Sequence, residues 1–361
     1  MRICASVALS GDGYMDDRST RRLILSTPAD WREVLRLRAW ADAILVGAET
    51  VRRDNPSLTV RDEALRNQRL AAGRPADPVK VTLSRSLRLD PASNFFTADA
   101  AARIVLTDSD AATPLDATAE IVRCPDLSAA RIETELEKRG VERLLVEGGP
   151  RTLGMFLREK LVDTLRIAVN PAVCVGDPRA PRFEPAFDLT GLPQMRRQLE
   201  GMEVTTYTLH PDRTEEDLHH LRHAVELSRR CTPCATSYRV GAVIVTRSGA
   251  VFTGYTHETS STHHAEQEAI LKATAAGADL HGGAIYSSME PCSTRRSEPE
   301  SCTELILRHG FSRTIFALYE PSCFVCCEGA VRLRKSGVEV RVYPQLGGDV
   351  LAINSHLRLQ E

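Results

Sequence analysis

His263-His264-Ala265-Glu266-Gln267-Glu268-Ala269-Ile270 runs from a polar stretch into an apolar-periodic helix over 266–275, with Gly277 just beyond it. A strand follows over 284–287, then Met289-Glu290-Pro291-Cys292, and Cys302 opens the next helix, 303–308. Helix, strand and helix thus deliver His264, Cys292 and Cys302 from three consecutive junctions. One imidazole and two thiolates make three ligands for a zinc ion. The fourth tetrahedral position is left to water, as in a catalytic rather than a structural site. Zinc lowers the pKa of such a water toward neutrality. Glu266 stands two residues past His264, where it reaches the water without being a ligand. It can take the water's proton and pass it to a leaving group. His263 reads as a neighbour, because the carboxylate must lie two residues after the ligating histidine. Two cysteines alone would carry little weight, but the ordered set of H-A-E before a helix and M-E-P-C after a strand is specific.

Outward from this segment the alternation continues, with further strands over 241–245, 314–317 and 338–342 and a helix over 329–335. Upstream, a break falls at His210-Pro211-Asp212-Arg213. The residues 203–209 before it alternate like a strand. Thr214 after it reads as a helix N-cap, with an acidic first turn and with Leu218, Leu221 and Val225 on one face. Two domains are expected, 1–210 and 214–361. The first also alternates: strands over 43–46, 79–83, 103–107, 143–146 and 165–169, helices over 29–40 and 132–139, and a surface loop around 71–78. This is an α/β pattern in both parts. In the first, the strand ending at Val146 runs into Glu147-Gly148-Gly149-Pro150 and a helix over 151–158. Glycines there let backbone approach a pyrophosphate at a helix N-terminus, although this is not the G-x-G-x-x-G fingerprint. The segment 54–61 adds Asp54, Thr59 and Arg61, and the Arg61 guanidinium suits a phosphate. Arg38 and Asp54 could equally form a structural ion pair.

The chain has 361 residues, too many for one ordinary core, with 42% hydrophobic and 26% charged residues. Net charge is −2, and neither part carries a basic excess. A small-molecule substrate is therefore favoured over nucleic acid. The sequence contains no apolar run that would span a membrane, and the N-terminus lacks a signal-peptide layout, so a cytoplasmic location is the expectation. Ten cysteines in such a compartment read as metal ligands or buried thiols. Cys231 and Cys234, with Cys323, Cys326 and Cys327, are expected to be buried or pocket-lining thiols; a second, structural zinc is the alternative.

The metal segment carries the H-x-E…P-C…C signature of zinc deaminases, except that nine residues, 293–301, separate the cysteines where the usual form has two. Together with Gly241-Ala242-Val243-Ile244-Val245 and Ala317-Leu318-Tyr319-Glu320-Pro321, it resembles the deaminase domain of the bifunctional deaminase–reductases of riboflavin biosynthesis. The first part resembles their reductase domain in Ala5–Gly13, in Leu37–Thr50, in Asp54-Asn55-Pro56-Ser57-Leu58-Thr59-Val60-Arg61 and in Val146–Gly149. The resemblance covers nearly the whole chain. It implies a dihydrofolate-reductase-like domain followed by a cytidine-deaminase-like α/β/α domain. It implies hydrolytic deamination of 2,5-diamino-6-ribosylamino-4(3H)-pyrimidinone 5′-phosphate, and reduction of 5-amino-6-(5-phosphoribosylamino)uracil to the ribityl form by NADPH. Residue by residue, it implies that Thr50, Asp54, Gly149, Pro150, Arg151, Thr152, Leu153, Gly154 and Met155 face the nicotinamide cofactor, with Arg85 near its 2′-phosphate. Arg38, Leu58, Arg61 and Glu147 would face the substrate. A homodimer is the family expectation.

The match departs in places. The usual bacterial order is deaminase first. Ser237-Tyr238-Arg239 replaces the family's Pro-Asn-Pro, and Glu320-Pro321-Ser322-Cys323 its Asp-Pro-Asn-Pro. Arg22 and Ile24 stand where the family often has polar residues. These changes motivate a second reading, a relative recruited to a specialised pathway with a different pyrimidine or purine-derived substrate. A nucleic-acid-editing deaminase is disfavoured by the balanced charge, and a degenerate reductase acting as a scaffold is the remaining alternative.

Overall fold

In the computed structural model the described residues are 1–19, 23–295, 298–321 and 327–357. Arg22 therefore lies outside them, as do Ser322, Cys323 and Cys326. The chain divides into two compact units, Met1–Pro211 and Asp212–Glu361. Among the described residues no helix is long and apolar enough to cross a membrane.

The first unit is built on nine strands: β1 (Arg2–Ser10), β2 (Ala43–Gly47), β3 (Val79–Leu83), β4 (Arg103–Thr107), β5 (Glu120–Arg123), β6 (Arg143–Val146), β7 (Thr164–Asn170), β8 (Gln194–Leu199) and β9 (Met202–Thr208). Their order in the sheet is β5-β4-β3-β2-β6-β1-β7-β9-β8. All neighbours are parallel up to β7, and β9 and β8 close the sheet antiparallel. The central strands are continuous apolar runs because both faces are covered. Ile3, Ala43, Leu45 and Val146 point into one core, and Cys4, Ile44, Val46 and Leu145 into the other. Six helices lie between strands: α1 (Pro28–Trp40), α2 (Ala48–Asp54), α3 (Glu63–Ala71), α4 (Asn94–Thr97), α5 (Ala129–Glu137) and α6 (Pro150–Arg158). The 71–78 stretch is mostly exposed, as a surface loop should be. It nevertheless buries Asp77, whose carboxylate accepts the Val60 N–H at 2.7 Å and ties down the segment before α3.

The second unit is a three-layer α/β/α sandwich. Its helices are α7 (Thr214–Ser228), α8 (Ala265–Ala275), α9 (Cys302–Arg308), α10 (Gly329–Lys335) and α11 (Gly347–Ile353). Its strands β10 (Gly241–Val245), β11 (Val251–Tyr255), β12 (Ala284–Met289), β13 (Arg313–Leu318) and β14 (Glu339–Val342) are ordered β11-β10-β12-β13-β14. Strand alternation sorts the core. Ala242, Ile244, Ile285 and Phe316 pack on α8, α9 and α10, while Val243, Tyr286 and Ile315 pack on α7 and α11. Thr214 is not the N-cap of α7; the cap position is Arg213, without a side-chain bond. Asp212 takes over instead, its carboxylate accepting both the Thr214 N–H at 3.0 Å and the Thr214 hydroxyl at 2.7 Å.

Gly254 on β11 fixes where α8 sits. A Cβ there would stand 2.4 Å from the Ala265 carbonyl and 2.5 Å from the Ala269 nitrogen, both backbone. Backbone cannot swing aside as a side chain can, so Gly254→Ala is expected to destabilise the fold by about 1–3 kcal/mol. Urea unfolding, read as a shift of the midpoint at unchanged slope, checks this.

Candidate active sites

His264, Cys292 and Cys302 meet at one end of the second sheet. His264 is the N-cap residue of α8, Cys292 follows β12, and Cys302 is the first residue of α9. Their ligating atoms all lie within 4.8 Å of one another, the one such set among the described residues. His264 Nδ1 is 3.6 Å from Cys292 Sγ and 3.5 Å from Cys302 Sγ. With zinc–sulfur bonds of about 2.3 Å and zinc–nitrogen bonds of about 2.0 Å, a tetrahedral N···S edge is roughly 3.5 Å. The residues present therefore fit a zinc ion in spacing as well as in donor type.

Local structure accounts for the arrangement. Ser301 caps α9 and forms a capping box with Glu304, so the helix begins at Cys302. That Ser-x-x-Glu pattern is visible in the sequence and is what sets the position of the third ligand. The Cys302 N–H points at Cys292 Sγ at 3.4 Å. A hydrogen bond from the Cys302 thiol, with His264 adding to it, lowers the Cys292 thiol, and the same pairing raises Cys302. Thiol protons leave as a metal enters.

Glu266 sits in the first turn of α8, 3% exposed, and Ser287 on β12 donates its hydroxyl to Glu266 Oε1 at 2.9 Å. His263 turns away from the metal set to Glu268, with Nδ1 3.2 Å from Oε1. Glu290, the acid of M-E-P-C, is a staple: its carboxylate accepts the Ala330 N–H at 2.9 Å and the Glu320 N–H at 3.3 Å. Burial lifts the Glu320 carboxyl to about 7. The inter-cysteine loop is tied down at several points. The Thr262 hydroxyl donates to Glu298 at 2.7 Å and Arg295 donates to Gln267 at 2.9 Å. Cys231 and Cys327 are buried thiols that donate to the Val240 and Pro291 carbonyls, whereas Cys234 is partly exposed beside Thr236. Among the described residues none of these three joins a metal-ligand set; Cys323 and Cys326 lie outside them.

In the first unit a cavity of about 210 Å³ is lined by Trp31, Arg38, Asp54, Asn55, Ser57, Leu58 and Arg61. It gathers Arg38, Asp54, Leu58 and Arg61 in one place. Arg38 does not pair with Asp54. Its Nε and Nη2 reach Glu147 at 2.9 and 2.6 Å, its Nη1 reaches the Thr59 carbonyl at 3.4 Å, and its guanidinium lies 4.9 Å from the centre of the Trp31 ring. Arg38 is 4% exposed, and a buried guanidinium goes to the carboxylate that can take it bidentately. Trp31 escaped the sequence reading, although it lies seven residues before Arg38 on the same helix face. Leu58 holds a left-handed φ of 52° that drives its side chain into the core. Arg61 is exposed and donates to Ser57 at 2.9 Å.

The turn after β6 behaves differently from expectation at several positions. A Cβ on Gly148 would meet Thr152 Cβ at 2.6 Å, so this glycine serves strand–helix packing rather than a ligand's approach. A Cβ on Gly149 would meet only Thr50 Oγ1, at 3.9 Å. Gly149 caps α6 without a side-chain bond, next to the exposed Arg151 and the partly buried Pro150. This open helix start fits a phosphate-bearing cofactor. Leu153 does not face that space: it is fully buried in the core, and its N–H is committed to the Gly149 carbonyl at 3.1 Å. Thr152 and Gly154 are also on the buried side of α6, while Met155 is partly buried against the core. The reason is helical periodicity, which turns inward residues that the family's contiguous run would place on the cofactor. Arg85 is 79% exposed and held 3.4 Å from Asp108.

Comparison with known proteins gives these two units their context. Residues 2–210 match the RibD C-terminal domain family, and residues 214–318 match the cytidine and deoxycytidylate deaminase zinc-binding region. The first match covers more than half of the chain, which therefore belongs to the RibD family, with the reductase domain preceding the deaminase domain. Over 211 residues it is 30% identical to the 2,5-diamino-6-ribosylamino-4(3H)-pyrimidinone 5′-phosphate reductase of Archaeoglobus fulgidus, covering 56% of this chain and 96% of that protein. Over 144 residues it is 37% identical to the diaminohydroxyphosphoribosylamino-pyrimidine deaminase of Schizosaccharomyces pombe, covering 39% of this chain and 35% of that protein. The chain thus spans about a third of the deaminase relative's length and nearly all of the reductase's. A solved deaminase/reductase from Thermotoga maritima aligns over 57% of this chain and 56% of its own, at 23% identity and a TM-score of 0.47.

Proposed function

We propose that the chain is a bifunctional enzyme of riboflavin biosynthesis, with a zinc-dependent deaminase in the second unit and an NADPH-dependent reductase in the first. The observation that carries the deaminase half is the set His264, Cys292 and Cys302 at zinc-ligand spacing with buried Glu266 beside it. When bound, zinc supplies a Lewis-acidic position that makes a water acidic near neutral pH. Glu266 would accept a proton from the attacking water at its carboxylate and return it to the amino group, which would leave as ammonia as a carbonyl replaces the C–N bond.

For the reductase half, NADPH supplies the hydride, and the α6 N-terminus at Gly149 with Thr50 opposite would hold its phosphates. Arg38, held in place by Glu147, lines the cavity, and Arg61 at the rim would take the substrate's phosphate. Assembly as a homodimer and a cytoplasmic location belong to the same proposal.

One observation favours a second reading of the order of steps. The archaeal relative, whose length the chain nearly fills, is named for reduction of the diamino compound. In that order the ribosyl group is reduced first and the amino group is hydrolysed from the ribityl product. Purified protein with zinc is expected to oxidise NADPH and release ammonia on 2,5-diamino-6-ribosylamino-4(3H)-pyrimidinone 5′-phosphate. NADPH oxidation before any ammonia appears would establish the reductive order. Release of ammonia with no NADPH present would establish the hydrolytic one. Neither reaction on this compound would refute the proposal.

A further inference from the structure

Ser287 is a fully buried hydroxyl on a strand that otherwise fills the core. It is followed by a second buried serine, and the two face opposite ways. Ser288 turns toward α7, where it receives the Ser228 hydroxyl at 3.0 Å and the Gly241 N–H at 3.2 Å. Its contacts hold strand to helix. Ser287 turns toward α8 and gives its proton to Glu266 Oε1 at 2.9 Å. Burying a hydroxyl without a partner is costly, so this bond is held firmly.

Its chemistry is particular. The hydroxyl occupies one carboxylate oxygen of Glu266 and leaves the other for the reacting water. It also fixes the carboxylate plane, which would otherwise rotate about a soft terminal torsion. Glu266 has to serve two proton transfers at two different atoms, and both depend on where that second oxygen points. The donor comes from β12, the strand that also delivers Cys292. The base and one metal ligand are therefore referenced to the same strand, although Glu266 belongs to α8.

We infer that Ser287 is a positioning residue for deamination, acting through Glu266 rather than on substrate. The inference rests on the deaminase reading proposed above.

The experiment compares Ser287→Ala, Ser287→Thr and Ser287→Val with wild type, reading kcat and KM for ammonia release, zinc per chain, and a crystal structure of the Ala variant. Ser287→Ala is expected to lower kcat about tenfold with KM changed less than twofold and one zinc per chain retained. Its crystal structure should show the Glu266 carboxylate turned from its wild-type position. Thr keeps the hydroxyl and Val has the same shape without it, so Thr is expected to exceed Val in kcat several-fold. A kcat for Ser287→Ala within twofold of wild type, or equal values for Thr and Val, would overturn the inference, as would loss of zinc that accounts for the lost activity. Wild-type protein that releases no ammonia would instead refute the deaminase reading.

Discussion

Glu266→Gln is expected to abolish ammonia release while the protein keeps one zinc per chain. Gln has the shape of Glu, so packing in the first turn of α8 survives, and the Ser287 hydroxyl still finds an oxygen acceptor at that position. What disappears is the capacity to accept a proton. A positioned general acid–base contributes about 10²- to 10⁴-fold. Because one group serves both proton transfers here, the loss should lie at the upper end, roughly 10³-fold or more. Metal analysis of the purified variant together with an ammonia assay checks both halves. Turnover within tenfold of wild type would show that another group moves the proton.

Cys292→Ala is expected to lose zinc altogether, and ammonia release with it. His264 Nδ1 and Cys302 Sγ remain 3.5 Å apart, but two protein ligands cannot close a tetrahedral site that begins with three. The variant removes more than a ligand. Cys292 Sγ also accepts the Cys302 N–H, so the start of α9 loses a partner. Wild-type protein should therefore lose thermal stability when treated with a chelator, and Cys292→Ala should start from that lowered value and not respond to the chelator. On the proposed function, NADPH oxidation is assigned to the other unit and should persist in the variant. A fully metallated Cys292→Ala protein would remove Cys292 from the ligand set.

Much of the second unit was legible in the sequence because its chemistry is local. His264 and Glu266 are two residues apart at a helix start, and Pro291-Cys292 follows a strand at once. Short spacings of reactive residue types survive translation into space. Contacts between elements do not. Arg38 and Glu147 are 109 residues apart, so the sequence offers the nearer Asp54 as the guanidinium's partner and gives no sign of Glu147. Ser287 looks like any other core-strand position until the strand's faces are assigned, and Trp31 becomes a cavity residue only once α1 is laid against Arg38. Helix geometry likewise divides the α6 run between the open helix start and the core. Its family match is contiguous, but a helix turns by 100° per residue, and Leu153 goes to the core on that account. At the start of α7, Thr214 has the character of a cap, but the neighbouring Asp212 is the stronger acceptor and takes both its N–H and its hydroxyl.

The capping box at Ser301 and Glu304 has a bearing on how such enzymes can diverge. It makes the third ligand's place depend on where a helix nucleates, and not on how many residues were spent reaching it. Chain can be added to or removed from 293–301 at small entropic cost while the helix start is kept. The number of residues between the two cysteines is thus free to drift between lineages, and a search keyed to a fixed interval would pass over proteins whose metal geometry is the same.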